Sequence, residues 1–225
     1  MSLGIVACEN DDEPMPSENG SITIRMNHLI DGGTFELNTP YDFSGQEVVF
    51  TDFRYYISNI NFKGQTGTDL DNPEKTAWIV SPAEDEMALG KIDAKNIFAM
   101  DFLVGLDDIV NHQDPTMASE EELMNNEMHW GWNPSAGYKF MRIEGLVDGE
   151  VFGYHVATDN RLSTLTDIEI AFSNEDDRNN ILEMQFDVKK LFEGITILEG
   201  QNHGENPITG EISNNMENNN VITVQ

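Results

Sequence analysis

Ser21-Ile22-Thr23-Ile24-Arg25-Met26-Asn27-His28-Leu29 alternates apolar and polar side chains, the rhythm of a β-strand, and Asp31-Gly32-Gly33 closes it with a turn. Further along, residues 47–53 (EVVFTDF) and 54–62 (RYYISNINF) read as a second and a third strand, rich in β-branched and aromatic side chains. Residues 77–81, 96–104, 138–147, 151–157, 167–172 and 181–186 have the same character, with turn signals at Asn72-Pro73, Asp114-Pro115 and Asp148-Gly149. Helical signal is sparse. Residues 119–124 suit a short helix in a long loop with Ser119 as its N-cap, and residues 187–192 suit one or two turns stopped near Gly194. The region from 200 onward is rich in Asn, Gly and Glu, and Val221-Ile222-Thr223-Val224 could return as an edge strand. Many short strands with loop-bound helical turns predict an all-β fold: a single antiparallel β-sandwich with long loops and one or two short helices. Neither an internal repeat nor a linker is visible, so residues 20–225 read as one domain and residues 1–19 as a polar, acidic tether.

Charge narrows the partners. Twelve basic residues stand against 41 acidic ones, a formal net charge of −29. Such a surface repels phosphate backbones and anionic lipid, which argues against nucleic-acid binding and makes cations the natural partners. The plainer reading is a solvated acidic surface that confers solubility. The lone cysteine, Cys8, cannot form an intramolecular disulfide. Leu3-Gly4-Ile5-Val6-Ala7-Cys8 resembles the end of a bacterial lipoprotein signal, here clipped, with Cys8 as the lipidated residue. The acidic run Glu9-Asn10-Asp11-Asp12-Glu13 behind it resembles a surface-export signal. The expectation is a periplasmic, outer-membrane or cell-surface lipoprotein that touches a membrane only through lipid on Cys8. The alternative is a chance Val-Ala-Cys near a disordered terminus. No segment approaches the ~20 apolar residues that a span requires.

Chemistry concentrates in Met128-His129-Trp130-Gly131-Trp132 and in the other histidines, His28, His112, His155 and His203. No two histidines have helical metal-site spacing, and there is no glycine-rich phosphate loop and no Gly-x-Ser-x-Gly elbow. Hydrolysis through a nucleophile therefore has no support in the sequence, and the chain reads as a non-enzyme, with a copper-dependent oxidoreductase as a weaker alternative. His28 and His155 lie in strand-like runs, where two imidazoles on neighbouring strands could converge on copper or zinc. Each could equally be a hydrogen-bonded structural residue. His112 reads as a solvated loop residue, while His203 is either exposed or a further ligand. Trp130 and Trp132 have the same parity and would share a face of an extended segment. They are either packing aromatics or oxidisable groups beside a metal.

In this order along the chain, several blocks resemble the MbnP-like family and, more distantly, the copper proteins MopE and CorA. They are Met26-Asn27-His28-Leu29-Ile30-Asp31-Gly32, Tyr41, Phe53-Arg54-Tyr55-Tyr56-Ile57-Ser58-Asn59-Ile60, Phe102-Leu103-Val104-Gly105-Leu106-Asp107, Asn111, the Met128–Trp132 segment, Gly137-Tyr138-Lys139-Phe140-Met141-Arg142-Ile143-Glu144-Gly145, and Phe152-Gly153-Tyr154-His155. The resemblance covers about residues 21–200. It implies an extracytoplasmic β-sandwich that binds copper, as Cu(I) or Cu(II), for capture or handling. Ligation would use histidines and a kynurenine made from a tryptophan by a partner diheme enzyme of the MbnH/MauG type. Carried over, it makes His28 and His155 the first ligands, His129 and His203 reserve ligands, and Trp130 or Trp132 the modified residue. A ligand histidine should give its other ring nitrogen to a carboxylate or carbonyl, and Asp52, Asp101 and Glu144 are available. The acidic loop Asn174-Glu175-Asp176-Asp177 offers the oxygen donors calcium takes, without an EF-hand pattern. The rival reading is a metal-free surface lipoprotein that acts as a binding or interaction module.

Overall fold

A computed structural model describes residues 20–131, 137–175 and 178–225. Cys8 and the tether, Trp132, and the Asp176-Asp177 end of the acidic loop lie outside them. Among the described residues the chain forms strands β1 (Ser21–Ile30), β2 (Gly33–Thr34), β3 (Pro40–Phe43), β4 (Gln46–Lys63), β5 (Ala77–Val80), β6 (Glu86–Lys91) and β7 (Asn96–Val104), then a short helix α1 (Asp108–Asn111). After a long loop come β8 (Lys139–Val147), β9 (Glu150–Ala157), β10 (Ser163–Ser173), β11 (Asn179–Asp187), α2 (Val188–Leu191), β12 (Gly200–His203), α3 (Pro207–Asn218) and β13 (Ile222–Val224). No helix among them is long and apolar enough to cross a membrane.

The strands make two sheets. One runs β13-β11-β1-β2 with β6 also on β1; the other runs β10-β7-β4-β8-β9-β12 with β3 and β5 also on β4. The all-β sandwich is the observed architecture. Two of its pairings, β1 with β11 and β12 with β9, are parallel rather than antiparallel. The second and third expected strands are one 18-residue strand, β4. Its first half pairs with β3 and β8, and its second half with β5 and β7. A bulge opposite β8 between Phe50 and Asp52 breaks the alternation, which is why the sequence looked like two strands. The helix expected over 119–124 is only a 3-10 turn, Glu121–Met124, with no side-chain cap. Asp187 does cap α2, accepting from the amides of Lys189 and Lys190. The sequence reading missed α3, although Asn206 caps it, Pro207 opens it, and Ile208, Ile212 and Met216 recur every four residues on its buried face.

The core lies between the sheets and is aromatic. Phe35, Phe50, Phe53, Tyr55, Phe152 and Phe186 are all essentially inaccessible to solvent. Most meet edge-on, as in the 5.4 Å Phe35–Phe53 and 5.5 Å Phe53–Phe186 pairs. A smaller second core, with Tyr56, Leu106, Leu123, Met128, Tyr138 and Phe140, sits on the other face of the larger sheet. Alternation along β4 and β8 puts it there: Tyr55 and Met141 point into the sandwich, Tyr56 and Phe140 away from it. The loop from 106 to 131 covers this second core, because Tyr56 Oη donates to the Glu122 carbonyl (2.8 Å) and Tyr138 Oη to that of Leu123 (2.7 Å).

His28 belongs to the main core. It stacks on Phe186 with ring centroids 5.5 Å apart and is hydrogen-bonded through Nε2 to Tyr55 Oη at 3.0 Å. Burial lowers its pKa to about 4, against a smaller opposing effect of the Met26 backbone. The imidazole is thus neutral in the fold, whereas the unfolded chain takes up a proton below its ordinary value near 6.5. Stability contributed by the neutral ring is complete above that value and is lost as the pH falls toward 4. Between neutral pH and pH 4.5 the wild type is expected to lose about 2–3 kcal/mol more than His28→Leu does. Urea midpoints of both proteins across this range check it; parallel curves would show that His28 does not titrate in this way.

Candidate metal centre

The outward face of the larger sheet carries a row of cross-strand partners. Arg54 of β4 faces Arg142 of β8, Arg142 faces His155 of β9, and His155 faces His203 of β12. The row beside it is Asp52, Glu144, Gly153 and Gln201. Side chains directly opposite across a sheet touch, so the register alone brings the two imidazoles together. Their ring centroids are 4.7 Å apart, with planes tilted by 33°. Gly204 then donates its amide to the His155 carbonyl (3.0 Å), which holds the end of β12 against β9.

Glu144 orients His155. Its Oε1 accepts from His155 Nε2 at 2.8 Å, and both its oxygens are held by Arg142 at 3.0 Å. Burial pushes the Glu144 carboxyl up, but the hydrogen bonds from Arg142 and His155 outweigh it and hold the group down at about 2. A carboxylate at Nε2 fixes the proton there and leaves the lone pair on Nδ1. That Nδ1 is buried and has no hydrogen-bond partner. His155 is 7 % exposed, whereas His203 is open to solvent. Burial depresses the pKa of both imidazoles and the Lys139 charge adds to it, against an opposing effect of Glu144 on each. Both imidazoles are thus biased toward the neutral form, in which one ring nitrogen of each offers a lone pair.

Trp130 completes the group. Its ring lies 5.5 Å from that of His155 and 5.3 Å from that of His203. The strand β8 delivers it: Lys139 N donates to Met128 O (2.7 Å) and Trp130 N to Gly137 O (3.1 Å), so residues 128–130 run back along 137–139 as a short ladder. Buried Asn111 clamps the start of the second of these two segments. It accepts from Tyr138 N and donates to Asp159, each at 2.8 Å. Gly137 has φ +72°, and a Cβ there would lie 2.3 Å from Asn111 Oδ1, so no other residue fits. Lys139 Nζ lies 4.7 Å over the Trp130 ring and donates to the Glu127 carbonyl (2.7 Å).

The expected pairing of His28 with His155 is not what the structure has. His28 is on β1 of the smaller sheet and points into the sandwich, whereas His155 points out of the other sheet; the backbone of the larger sheet lies between them. With Nε2 tied to Tyr55, His28 is a core residue. His129 is buried edge-on against Tyr138 at 4.8 Å, and its Nε2 has no hydrogen-bond partner. Of the three orienting carboxylates considered, Glu144 contacts His155 and Asp52 lies behind it, paired with Arg54 (2.7 Å) and Arg142 (3.2 Å). Asp101 is elsewhere, ion-paired with Lys63 at 2.7 Å. His112 is not simply solvated: with Asp108 and Asp159 it forms an exposed cluster whose ligand atoms all lie within 4.8 Å of one another. In the acidic loop, Asn174 is turned inward to the carbonyls of Gly20 and Ile92.

An imidazole with an orphaned, buried Nδ1 and a second imidazole beside it form a donor pair that fits a soft or borderline ion such as copper, with an oxidisable indole against both. The reserve ligand His203, and not His28, is the residue the fold brings to His155. A short, four-residue parallel pairing of β12 with β9 does this, and nothing in Gly200-Gln201-Asn202-His203 announces such a pairing.

The fold is similar to that of MbnP from Methylosinus trichosporium, with a TM-score of 0.61, 15 % identity and 87 % of each chain covered. No curated protein sequence is matched by the chain. The family model for MbnP matches residues 19–213. The chain belongs to the MbnP family.

Proposed function

We propose that this protein is an extracytoplasmic copper-binding protein in which His155 and His203 are the protein's imidazole ligands and Trp130 is the residue converted to kynurenine. The buried, orphaned Nδ1 of His155, whose ring is fixed through Nε2 by Glu144, carries this reading. Oxidative cleavage would open the pyrrole ring of Trp130 by adding an oxygen at each carbon of the broken bond, and hydrolysis would release one of those carbons as formate, a net gain of one oxygen and loss of one carbon that would put an aryl amine and a ketone next to both imidazoles. A diheme enzyme of the MbnH/MauG type would supply the oxidant. Trp130 is only partly buried, which leaves an edge accessible to such a partner. The role is copper capture or handling, without catalysis by this chain, on a protein tethered outside the cytoplasm by lipid on Cys8.

Two measurements test the reading. Peptide mass mapping of protein produced together with its diheme partner should place the oxygen-gain, carbon-loss product at Trp130; finding it at Trp132 or Trp78, or nowhere, would overturn the assignment. Glu144→Gln should lower Cu(I) affinity about ten- to a hundredfold, because an amide neither fixes the tautomer nor raises the basicity of the imidazole as a carboxylate does. Competition against a chromophoric Cu(I) chelator reads this out, and unchanged affinity would remove Glu144 from the site.

A further inference from the structure

The charges around this centre do not follow the rest of the molecule. The chain has 12 basic residues against 41 acidic ones, yet this face holds Arg54, Arg142 and Lys139 against Asp52, Glu127 and Glu144. Three cations against three carboxylates cancel. The three carboxylates are also turned toward the arginines: Asp52 bridges Arg54 and Arg142, Glu144 is held by Arg142 and His155, and Glu127 pairs with Arg54. Lys139 is placed differently. Its ammonium is tied to a neutral carbonyl, the Glu127 backbone, and lies over the Trp130 ring, which is itself against both imidazoles, and its charge acts on both of them.

We propose that Lys139 is a specificity-determining residue that makes the His155–His203 centre select monovalent over divalent cations. This rests on the reading of that pair as a metal centre. A fixed positive charge opposes a divalent ion twice as strongly as a monovalent one at the same point. Within several ångströms and at the effective dielectric of a protein surface, the difference is worth on the order of ten- to a hundredfold in relative affinity. The donor set acts in the same direction. Two neutral imidazoles satisfy an ion content with few ligands, while the carboxylate a harder divalent ion would recruit is already committed to Arg142. Nearly everywhere else on this acidic surface a divalent ion is the better-attracted species, so a centre meant for Cu(I) requires a local device of this kind.

The test uses the full chain at one neutral pH, with wild type, Lys139→Met, Lys139→Gln and Lys139→Arg. Cu(I) affinity is measured under anaerobic reducing conditions against a chromophoric chelator, and Zn(II) serves as a divalent probe without redox chemistry. The Zn(II)/Cu(I) affinity ratio should rise about ten- to a hundredfold in the Met and Gln variants and stay near wild type in the Arg variant, which keeps the charge. An unchanged ratio in both neutral variants, with Cu(I) still bound at His155 and His203, would overturn the proposal alone. If the wild type binds no Cu(I), or keeps it after loss of both histidines, the metal centre itself is refuted and Lys139 selects nothing. A measurement on the wild type guards against misfolded variants: excess Zn(II) should leave bound Cu(I) in place, and displacement would count against the proposal.

Discussion

Joint replacement of His155 and His203 by alanine is expected to lower Cu(I) affinity on the order of a thousandfold or more, a larger loss than the ten- to hundredfold typical of outer-shell changes. His28→Leu is expected to leave it unchanged. The first two residues face each other across the β9–β12 pair, with rings 4.7 Å apart and one buried nitrogen lacking any partner. His28 is spent on Tyr55 and Phe186 in the interior. Neither alanine should unfold the protein, since His203 is exposed and His155 stands on the outward face of its sheet. Chelator competition on wild type and these two variants measures the effect. Retention of copper by the double variant, or its loss in His28→Leu, would contradict the assignment.

The largest stability effect is expected at Gly145, in the middle of β8. A Cβ there would lie 2.1 Å from the Val49 carbonyl and 2.9 Å from the Phe152 ring. The carbonyl belongs to the partner strand β4 and cannot retreat without opening the β4–β8 ladder, and the ring is locked in the aromatic core. Gly145→Val should therefore cost more than about 4 kcal/mol, most of the stability of an ordinary domain. Gly149→Ala is the control. Gly149 follows Asp148 in the β8–β9 turn, both with positive φ, and no atom lies within 4 Å of its missing Cβ. That change should cost only about 1 kcal/mol of backbone strain. Urea midpoints and soluble yields of the two variants compare them; similar losses would show that the close approach at Gly145 does not limit the fold.

Strands were legible here wherever one face is buried, as in β1, β7, β8 and β11, because side-chain alternation reports burial directly. What escaped was whatever depends on pairing. The bulge in β4 put Phe50 and Phe53 on the same face three residues apart and disguised one strand as two. The histidine pair followed the same logic. His28 shares its parity with Ile22, Ile24, Met26 and Ile30, all core residues, so alternation already placed it inside the sandwich. Around His155 the core residues are Phe152, Tyr154 and Val156, so with the bulge near Met141 its ring faces the other way. Parity thus contained the evidence against joining the two histidines. No comparable signal existed for His203, which meets His155 only through a tertiary pairing of four polar residues. The block Gly137-Tyr138-Lys139-Phe140 owes its distinctiveness to the same site: glycine for the Asn111 clamp, tyrosine and phenylalanine for the second core, and lysine for Trp130.

Anomalous diffraction at the copper edge, from crystals loaded with one equivalent of Cu(I), tests the central claim most directly. The account predicts one peak within bonding distance of His155 Nδ1 and a ring nitrogen of His203, against the Trp130 side chain. A peak at the exposed Asp108–His112–Asp159 cluster, or at His28, with none at His155, would contradict it.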